Sequence, residues 1–414
     1  MRGDSGSASN VGKSTPMEHP WMKQRSAQQP STREQLHILT LTPFYPSITD
    51  DGNGCFVSEP LEPLAKLGVR NTVLALQPFY RGKRRSRNPG VSGEWLRYLS
   101  LPGGFGLPSA GKFAFARIAQ RLRKLHKSQP IDLIHAHGAL PCGHVAMLAS
   151  KELDVPYVVS VHGLDAFSTV QVKGFAGERC RQVSRRIYEA ASRVICVSEH
   201  VRDSIREEMT ETCSTSVVYN GVDPSRFTPT DPTAVRKILS VGNLIPIKGH
   251  IHLIRGVAAI AEEFPSLKLD IIGDGPERER LAALARQLRI EEKVHFHGRQ
   301  SRAQVAEAMR RCTIFALPSR YEGLGCVYLE AMSCGKAAIG CRGQGISEII
   351  QNGANGFLVE ANDEHELTSA LGQLLRDPAR VHAVGIAARQ TILSRLTLHH
   401  QAENLLRIYK ECLQ

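Results

Sequence analysis

No apolar run in these 414 residues approaches the ~20 residues that a membrane-spanning helix needs, so any contact with a membrane is peripheral. A metal or disulfide signature is missing as well. The 10 cysteines are scattered, with no Cys-x-x-Cys pair and no His/Cys ligand spacing, which fits free, mostly buried thiols in a reducing cytoplasm. Aromatic residues make up only 6%, and neither an aromatic platform nor a nucleic-acid motif accompanies the basic clusters, which speaks against nucleic acid as a partner. Residues 1–35 lack apolar periodicity. They are rich in Ser, Gln, Pro and charge, which predicts a disordered tail, and the absence of a hydrophobic segment excludes a secretory signal. Their SASNVGKST stretch falls short of a nucleotide phosphate loop, because Ser7 stands where the first glycine belongs and no strand precedes it.

What is present is a globular balance, 42% hydrophobic and 22% charged, in a chain long enough for two domains. The net charge of +12 is uneven: residues 1–220 carry 28 Lys and Arg against 19 Asp and Glu, residues 221–414 carry 24 against 21. Two basic clusters stand out, RGKRRSR (81–87) and FAFARIAQRLRKLHK (113–127). In the second, Phe115, Ile118, Ala119, Leu122 and Leu125 recur at helical spacing while Arg117, Arg121 and Lys124 line another face. Such a helix either lies on an anionic membrane surface or presents an ordinary solvated face.

Short β-branched runs alternate with helical patterns. LHILTLT (36–42), NTVLAL (71–76), IDLIHAH (131–137), PYVVSVHG (156–163), RVICVS (193–198) and TSVVYNG (215–221) read as strands of a first half. KILSVGN (237–243), LKLDIIGDG (267–275), VHFHG (294–298), CTIFALPS (312–319), KAAIGC (336–341) and GFLVE (356–360) read as strands of a second. The fold class expected is α/β, two doubly wound parallel sheets facing across a cleft, with a break near NGVDPSRFTPTDPTAV (220–235). The domains expected are 36–220 and 221–385, with 386–414 as a terminal helical segment.

Ligands of open α/β sheets bind beyond the carboxyl ends of the strands, so the residues after each strand matter most. In the second half these are GNLIPIKGH with Gly242, Asn243, Lys248 and Gly249; GDGPE; His297 and Gly298; PSRYEGLG; and RGQGISE. One such glycine loop is an ordinary strand-to-helix turn, whereas five at one sheet edge point to a ligand pressed against backbone. YEGLGCVYLEAM (321–332) gives the ligand its character. Glycines at 323 and 325 oppose a helix through Glu322, so a loop from Glu322 to Gly325 is expected to feed a helix starting near Val327. Amides at 323–326 and that helix start favour phosphate, and Lys248 adds a point charge to the same anion. Glu330, on the first helical turn, suits the paired hydroxyls of a ribose, and Glu322 those of a second polyol. Ribose, phosphates and a second polyol in line describe a nucleotide sugar. In the first half, DDGNGCF (50–56), with Gly52 and Gly54, follows one strand. His162-Gly163-Leu164-Asp165 follows another, placing an imidazole and a carboxylate at the cleft edge.

Glu322-x7-Glu330 within PSRYEGLGCVYLEAMSCGK resembles the signature of the retaining glycosyltransferases of family four, which have the GT-B fold. VHGLD (161–165), VYNGVDPSRF (218–227), LSVGNLIPIKGH (239–250), IIGDGPE (271–277), FHG (296–298) and GISEII (345–350) agree in order and spacing, so the resemblance covers roughly residues 36–380. It implies a nucleotide-sugar donor in the second domain, an acceptor mainly in the first, no essential metal or other cofactor, and a last helix crossing back to the first domain. Carried over by position, Glu330 holds the donor ribose and Glu322 the donor sugar. Lys248, with amides at Gly323, Leu324 and Gly325, holds the diphosphate, and His162 lies beside the transferred sugar. The site residues expected on this basis are His162, Lys248 and Glu322 for catalysis, with Gly52, Gly54, Asn243, Gly298 and Glu330 also at the donor.

Two positions depart from the family. Asn243 stands where an arginine often serves the diphosphate, which shifts charge compensation onto Lys248 or a residue such as Arg342. Gly52-Asn53-Gly54 interrupts a pair of glycines that is commonly adjacent; asparagine tolerates left-handed dihedrals. The basic first half fits a glycan or lipid-linked acceptor on an anionic cytoplasmic leaflet, in cell-surface polysaccharide assembly. The rival readings are a nucleotide-sugar epimerase or hydrolase on the same fold, and a non-catalytic nucleotide-sugar-binding scaffold.

Overall fold

The computed structural model describes residues 35–48, 50–82, 93–102, 104–163, 172–230 and 236–414. The expected tail, SASNVGKST, most of RGKRRSR, Asp165 and the end of the 220–235 break lie outside the described residues. Gln35–Gln414 form one compact unit.

Two parallel sheets organise it. The first runs β3-β2-β1-β4-β5-β6-β7, from β1 (Leu36–Thr42), β2 (Val69–Pro78), β3 (Gly93–Tyr98), β4 (Leu133–His137), β5 (Tyr157–Val161), β6 (Arg193–Cys196) and β7 (Thr215–Val217). The second runs β10-β9-β8-β11-β12-β13, from β8 (Lys237–Val241), β9 (Lys268–Ile272), β10 (Val294–Phe296), β11 (Ile314–Ala316), β12 (Ala337–Cys341) and β13 (Phe357–Val359). Each sheet begins in its interior, winds to one edge and returns to the other, so each has a topological switch, between β1 and β4 and between β8 and β11. The crevice at a switch is where such sheets bind ligands. The central strands β4, β5 and β12 are buried at every residue, as sheets covered on both faces require.

The twelve strands expected from apolar runs all form, ten of them with shorter ends, while β1 keeps its expected bounds and β2 is longer by two residues at each end. One strand was not expected: β3, GEWLRY, pairs with β2 only, at the sheet edge. Its apolar residues are broken up by Glu94 and Arg97, so a search for continuous apolar runs passes over it.

The basic helix Leu107–Ser128 buries Ala110, Ala114, Ile118 and Leu122 in the first sheet's core, with Phe115 and Leu125 packed at its margin. Its apolar stripe is therefore a core face, so the stripe itself is not free to lie on a membrane. The helix Leu398–Glu411 packs on the first sheet: Ala402, Leu405, Ile408 and Tyr409 share one apolar cluster with Ile38, Val73, Leu133 and Val158. It is started by a capping box between Thr397 and His400. The chain passes between the sheets twice, side by side, where the Val222 amide donates to Leu396 (3.0 Å) and the Leu398 amide to Val222 (3.1 Å).

Candidate active site

At the carboxyl edge of the second sheet the loops are locked backbone to backbone. The Gly242 amide donates to Ile272 (2.9 Å), the Leu244 amide to Asp274 (3.0 Å) and the Gly273 amide to Gly298 (2.9 Å). Gly273 sits at φ 144°, and a Cβ there would run into the Gly242 carbonyl. Gly249, at φ 70°, lies flat on the Pro318 carbonyl, while the Arg320 amide donates to Ile247 (2.8 Å). These contacts fix the 246–249 turn against the 317–325 loop, so Lys248 reaches Glu322 and its Nζ donates to Glu322 Oε2. Both side chains are largely buried, 17% exposed each. Gln344 Oε1 accepts from the Glu322 amide (3.0 Å) and the Gly345 amide donates to the Glu322 carbonyl (3.2 Å), bracing the loop from behind.

The helix that follows runs Cys326–Ser333 with Gly325 at φ 79° as its N-cap. It begins one residue earlier than expected, so Glu330 is its fifth residue and lies in the second turn, not the first. Its carboxylate is 2% exposed. Burial pushes the Glu330 carboxyl above the usual glutamate range, although the Arg302 guanidinium beside it opposes the shift. Arg302 Nη1 donates to Glu330 Oε1, and Arg302 Nη2 binds Glu59 of the first half (3.0 and 3.2 Å). Glu330 Oε2 is buried with no hydrogen-bond partner among the described residues. A buried carboxylate oxygen without a donor costs about 1–3 kcal/mol, more for a charged group, and so marks a place where a ligand hydroxyl would stabilise the site.

In the first half, His162 leaves β5 and packs against Phe56 with ring centroids 4.4 Å apart and the ring planes tilted by 49°. Its Nε2 shares a hydrogen bond with His137 Nδ1 (2.9 Å). His137 stacks on His135, whose two ring nitrogens are bonded to Tyr409 Oη and Ser160 Oγ, each at 2.7 Å. Burial pushes His135 and His162 down to about 3 and His137 well below its ordinary value, so all three are neutral at pH 7. Gly54 takes φ 76° and rests on the Phe44 carbonyl, whereas Gly52 has open space beyond Asp50 and Asn53 has no left-handed backbone. The loop is held across the cleft by Arg299 on Asp50 (3.2 Å) and by the Arg302 amide on Asp51 (3.1 Å).

The two halves meet at the 322–325 loop itself. Gly323 lies against the His162 carbonyl and Gly163, and Ser198 Oγ donates to the Gly323 carbonyl (2.5 Å). Glu348 accepts from the amides of Glu199 (2.8 Å) and His200 (2.7 Å) at the start of the helix Glu199–Glu208, and from Tyr219 Oη (2.9 Å). The structure thus brings His162, Lys248, Glu322, Glu330 and the Gly323–Gly325 backbone to one place. Gly298 joins them only through Gly273, and Asn243 is exposed beside Gly242. Arg342 is committed elsewhere, to Glu366 (2.7 and 2.9 Å) and Glu360 (3.3 Å). Sequence reasoning missed Glu59, His137, Arg302 and the latch at Glu348. Inspecting only the residue after each strand stopped at Gly298, four short of Arg302. Among the described residues no group of three His, Cys, Asp or Glu could hold a metal ion.

Comparison with known proteins points one way. The family described as glycosyl transferases group 1 matches residues 223–391, and that described as glycosyltransferase family 4 matches residues 59–226. An uncharacterized glycosyltransferase of Methanocaldococcus jannaschii is 30% identical over 256 residues, covering 62% of this chain and 68% of that protein. The GDP-mannose-dependent alpha-(1-6)-phosphatidylinositol monomannoside mannosyltransferase of Mycolicibacterium smegmatis is 29% identical over 296 residues, 67% of this chain and 75% of that one. Among solved structures, Anabaena HepE in complex with UDP-glucose superposes with a TM-score of 0.70 at 20% identity, over 91% of this chain and 100% of its own.

Proposed function

This chain belongs to glycosyltransferase family four and has the GT-B fold; from that premise we propose that it moves a sugar, with retention of anomeric configuration, from a nucleoside diphosphate to a lipid-linked glycan acceptor during cell-envelope polysaccharide assembly. The observation that carries the donor reading is the arrangement around the start of the helix Cys326–Ser333. Lys248 meets Glu322 at the helix's open amide end, and one turn in, Glu330 keeps a buried oxygen without a donor. The nucleotide's diphosphate takes Lys248 and the amides from Gly323 to Cys326, its ribose hydroxyls take Glu330, and the sugar hydroxyls take Glu322. A relative named as GDP-mannose-dependent and a structural neighbour solved in complex with UDP-glucose support a nucleotide-sugar donor, and the mannosyltransferase name of the first supports transfer over epimerisation.

In the step itself the bond from the sugar's anomeric carbon to the diphosphate oxygen breaks and a bond to the acceptor oxygen forms on the same face. The acceptor's proton passes to the departing phosphate. Charge building on that phosphate is stabilised by Lys248 and the helix start; such fixed donors in a site closed to water supply about 10²–10³ in rate each. A neutral His162, held by His137, offers a hydrogen bond beside the reacting sugar without adding positive charge. Arg302 covers one oxygen of Glu330 and leaves Oε2 for a ribose hydroxyl. No helix among the described residues is long and apolar enough to cross a membrane, and we place the enzyme at the inner membrane face as a peripheral protein, on the strength of its basic first half.

Thermal unfolding with UDP, GDP, ADP and CMP tests the donor site on wild type and on Glu330→Ala. One diphosphate at ~100 times its dissociation constant should stabilise wild type by about 2.7 kcal/mol, and the 2′,3′-dideoxy form should lose most of that. The mutant should treat the two forms alike. Equal stabilisation of wild type by the dideoxy form would remove Glu330 from the ribose.

A further inference from the structure

Seven of the ten large apolar side chains that stand exposed among the described residues fall between Phe79 and Phe175, although the stripe of the basic helix is buried. They come from separate segments that the fold gathers. The Phe79 amide donates to the Tyr98 carbonyl (2.9 Å), which sets Phe79 and Tyr80 beside Leu99. The next turn folds back on the start of the helix Leu107–Ser128, where a Cβ on Gly106 would fall 2.6 Å from the Leu101 nitrogen. Gly104 lies against Val172 (2.7 Å to the position of an added Cβ), so Phe105, 76% exposed, neighbours the start of the helix Gly174–Ala190, where Phe175 is 82% exposed. Phe113 stands out from the second turn of the first of these helices.

Between these side chains lie exposed cations. Lys112, Arg117 and Lys173 make no ion pair among the described residues, and the nearest acid along β3, Glu94, is already bound by Arg121 (2.7 Å). Phe79 and Leu99 leave the carboxyl ends of β2 and β3, and His162 leaves the same end of β5, because all the strands are parallel. β3 and β5 are four strand spacings apart, roughly 19 Å.

We propose that these turns and helix starts form the membrane-docking surface: Phe105, Phe113, Phe175 and Leu101 enter the interfacial layer of an anionic bilayer while Lys112, Arg117 and Lys173 meet its headgroups. Aromatic and leucine side chains scattered on separate tips, with cations between them, suit a fluid, two-component surface, and the basic charge selects anionic lipid. The same edge then presents the acceptor mouth to the bilayer, as a lipid-linked acceptor demands. The inference rests on that reading of the acceptor, and it moves membrane contact from the middle of the basic helix to its amino-terminal end.

Cosedimentation tests it with vesicles of phosphatidylcholine alone and of phosphatidylcholine mixed with phosphatidylglycerol. Wild type should bind the mixed vesicles and only weakly the neutral ones. Phe105→Ser/Phe113→Ser/Phe175→Ser should lower partitioning tenfold or more, while Arg121→Ala/Lys124→Ala changes it less than threefold. Stabilisation by the cognate nucleoside diphosphate should be the same in all three proteins, which shows the variants folded and separates failure here from failure of the donor assignment. Wild-type binding by the triple variant, no binding by wild type, or loss of the apolar patch into a wild-type dimer in solution would each overturn the proposal.

Discussion

The two sheets share a topology and face the same cleft, yet they build their carboxyl edges from different materials. The second sheet uses main chain. Gly242 on Gly273, Gly249 on Pro318 and Gly345 on Gly323 leave no space for side chains, and the few that reach the site, Lys248, Glu322 and Glu330, are carried on a preformed frame. The first sheet uses side chains. Three neutral imidazoles, a tyrosine from the terminal helix and Phe56 fill the same edge, with Gly54, Gly138 and Gly163 at positive φ between them. A backbone frame suits a ligand part that is constant in chemistry, phosphate and ribose. A side-chain surface can change from one acceptor to another without disturbing the fold.

That contrast is open to attack in a graded way. Gly273→Ala should be the most damaging single methyl, costing about 4 kcal/mol or more because the Cβ meets backbone at a left-handed φ, whereas Gly52→Ala in the first-half loop should stay within ~0.5 kcal/mol. Urea unfolding of both would read the difference, and similar losses would erase the distinction between the two edges. Arg302→Met should cost about 3–5 kcal/mol by leaving Glu330 buried without its cation, while Glu59 keeps Arg226, and Met at this position of a double variant with Glu330→Gln should recover part of it. Lys248→Ala should lower kcat/KM by about 10²–10³ under single-turnover conditions. Acid should act through the first half. Burial holds His135 and His162 at about 3 against 6.5 in the unfolded chain, so the unfolded state takes up protons first. Stability is then complete above pH 6.5 and falls as pH drops toward 3, by about 1.4 kcal/mol per pH unit for each histidine. Unfolding at pH 7 and at 5.5 would measure it, and a His135→Asn/His137→Asn variant should show a shallower fall.

The same contrast explains what the sequence disclosed. Glycine spacing after β8, β9, β11 and β12 is visible as letters, because a backbone frame admits no other residue, and it led directly to Lys248, Glu322 and Glu330. The fold was equally open to reading, since each buried strand is an apolar run; β3 escaped because Glu94 and Arg97 interrupt its apolar residues. Glu59 and Arg302 are separated by 243 residues and have meaning only once the halves meet. His137 was hidden inside IDLIHAH, where it counted as strand. The docking residues are single apolar side chains on turns and helix starts far apart in the chain, with no shared periodicity to announce them, while the helix whose pattern did announce a surface uses that pattern for its core.

The most direct measurement is a calorimetric titration of the cognate nucleoside diphosphate into wild type, Lys248→Ala, Glu330→Gln and, as a first-half control, Phe105→Ser. Binding to the preformed frame of the second sheet predicts one site per chain, a loss of tenfold or more in each of the second-half variants and an unchanged affinity in the control. Wild-type affinity in Lys248→Ala and Glu330→Gln together would contradict the account, because the nucleotide would then be held somewhere else.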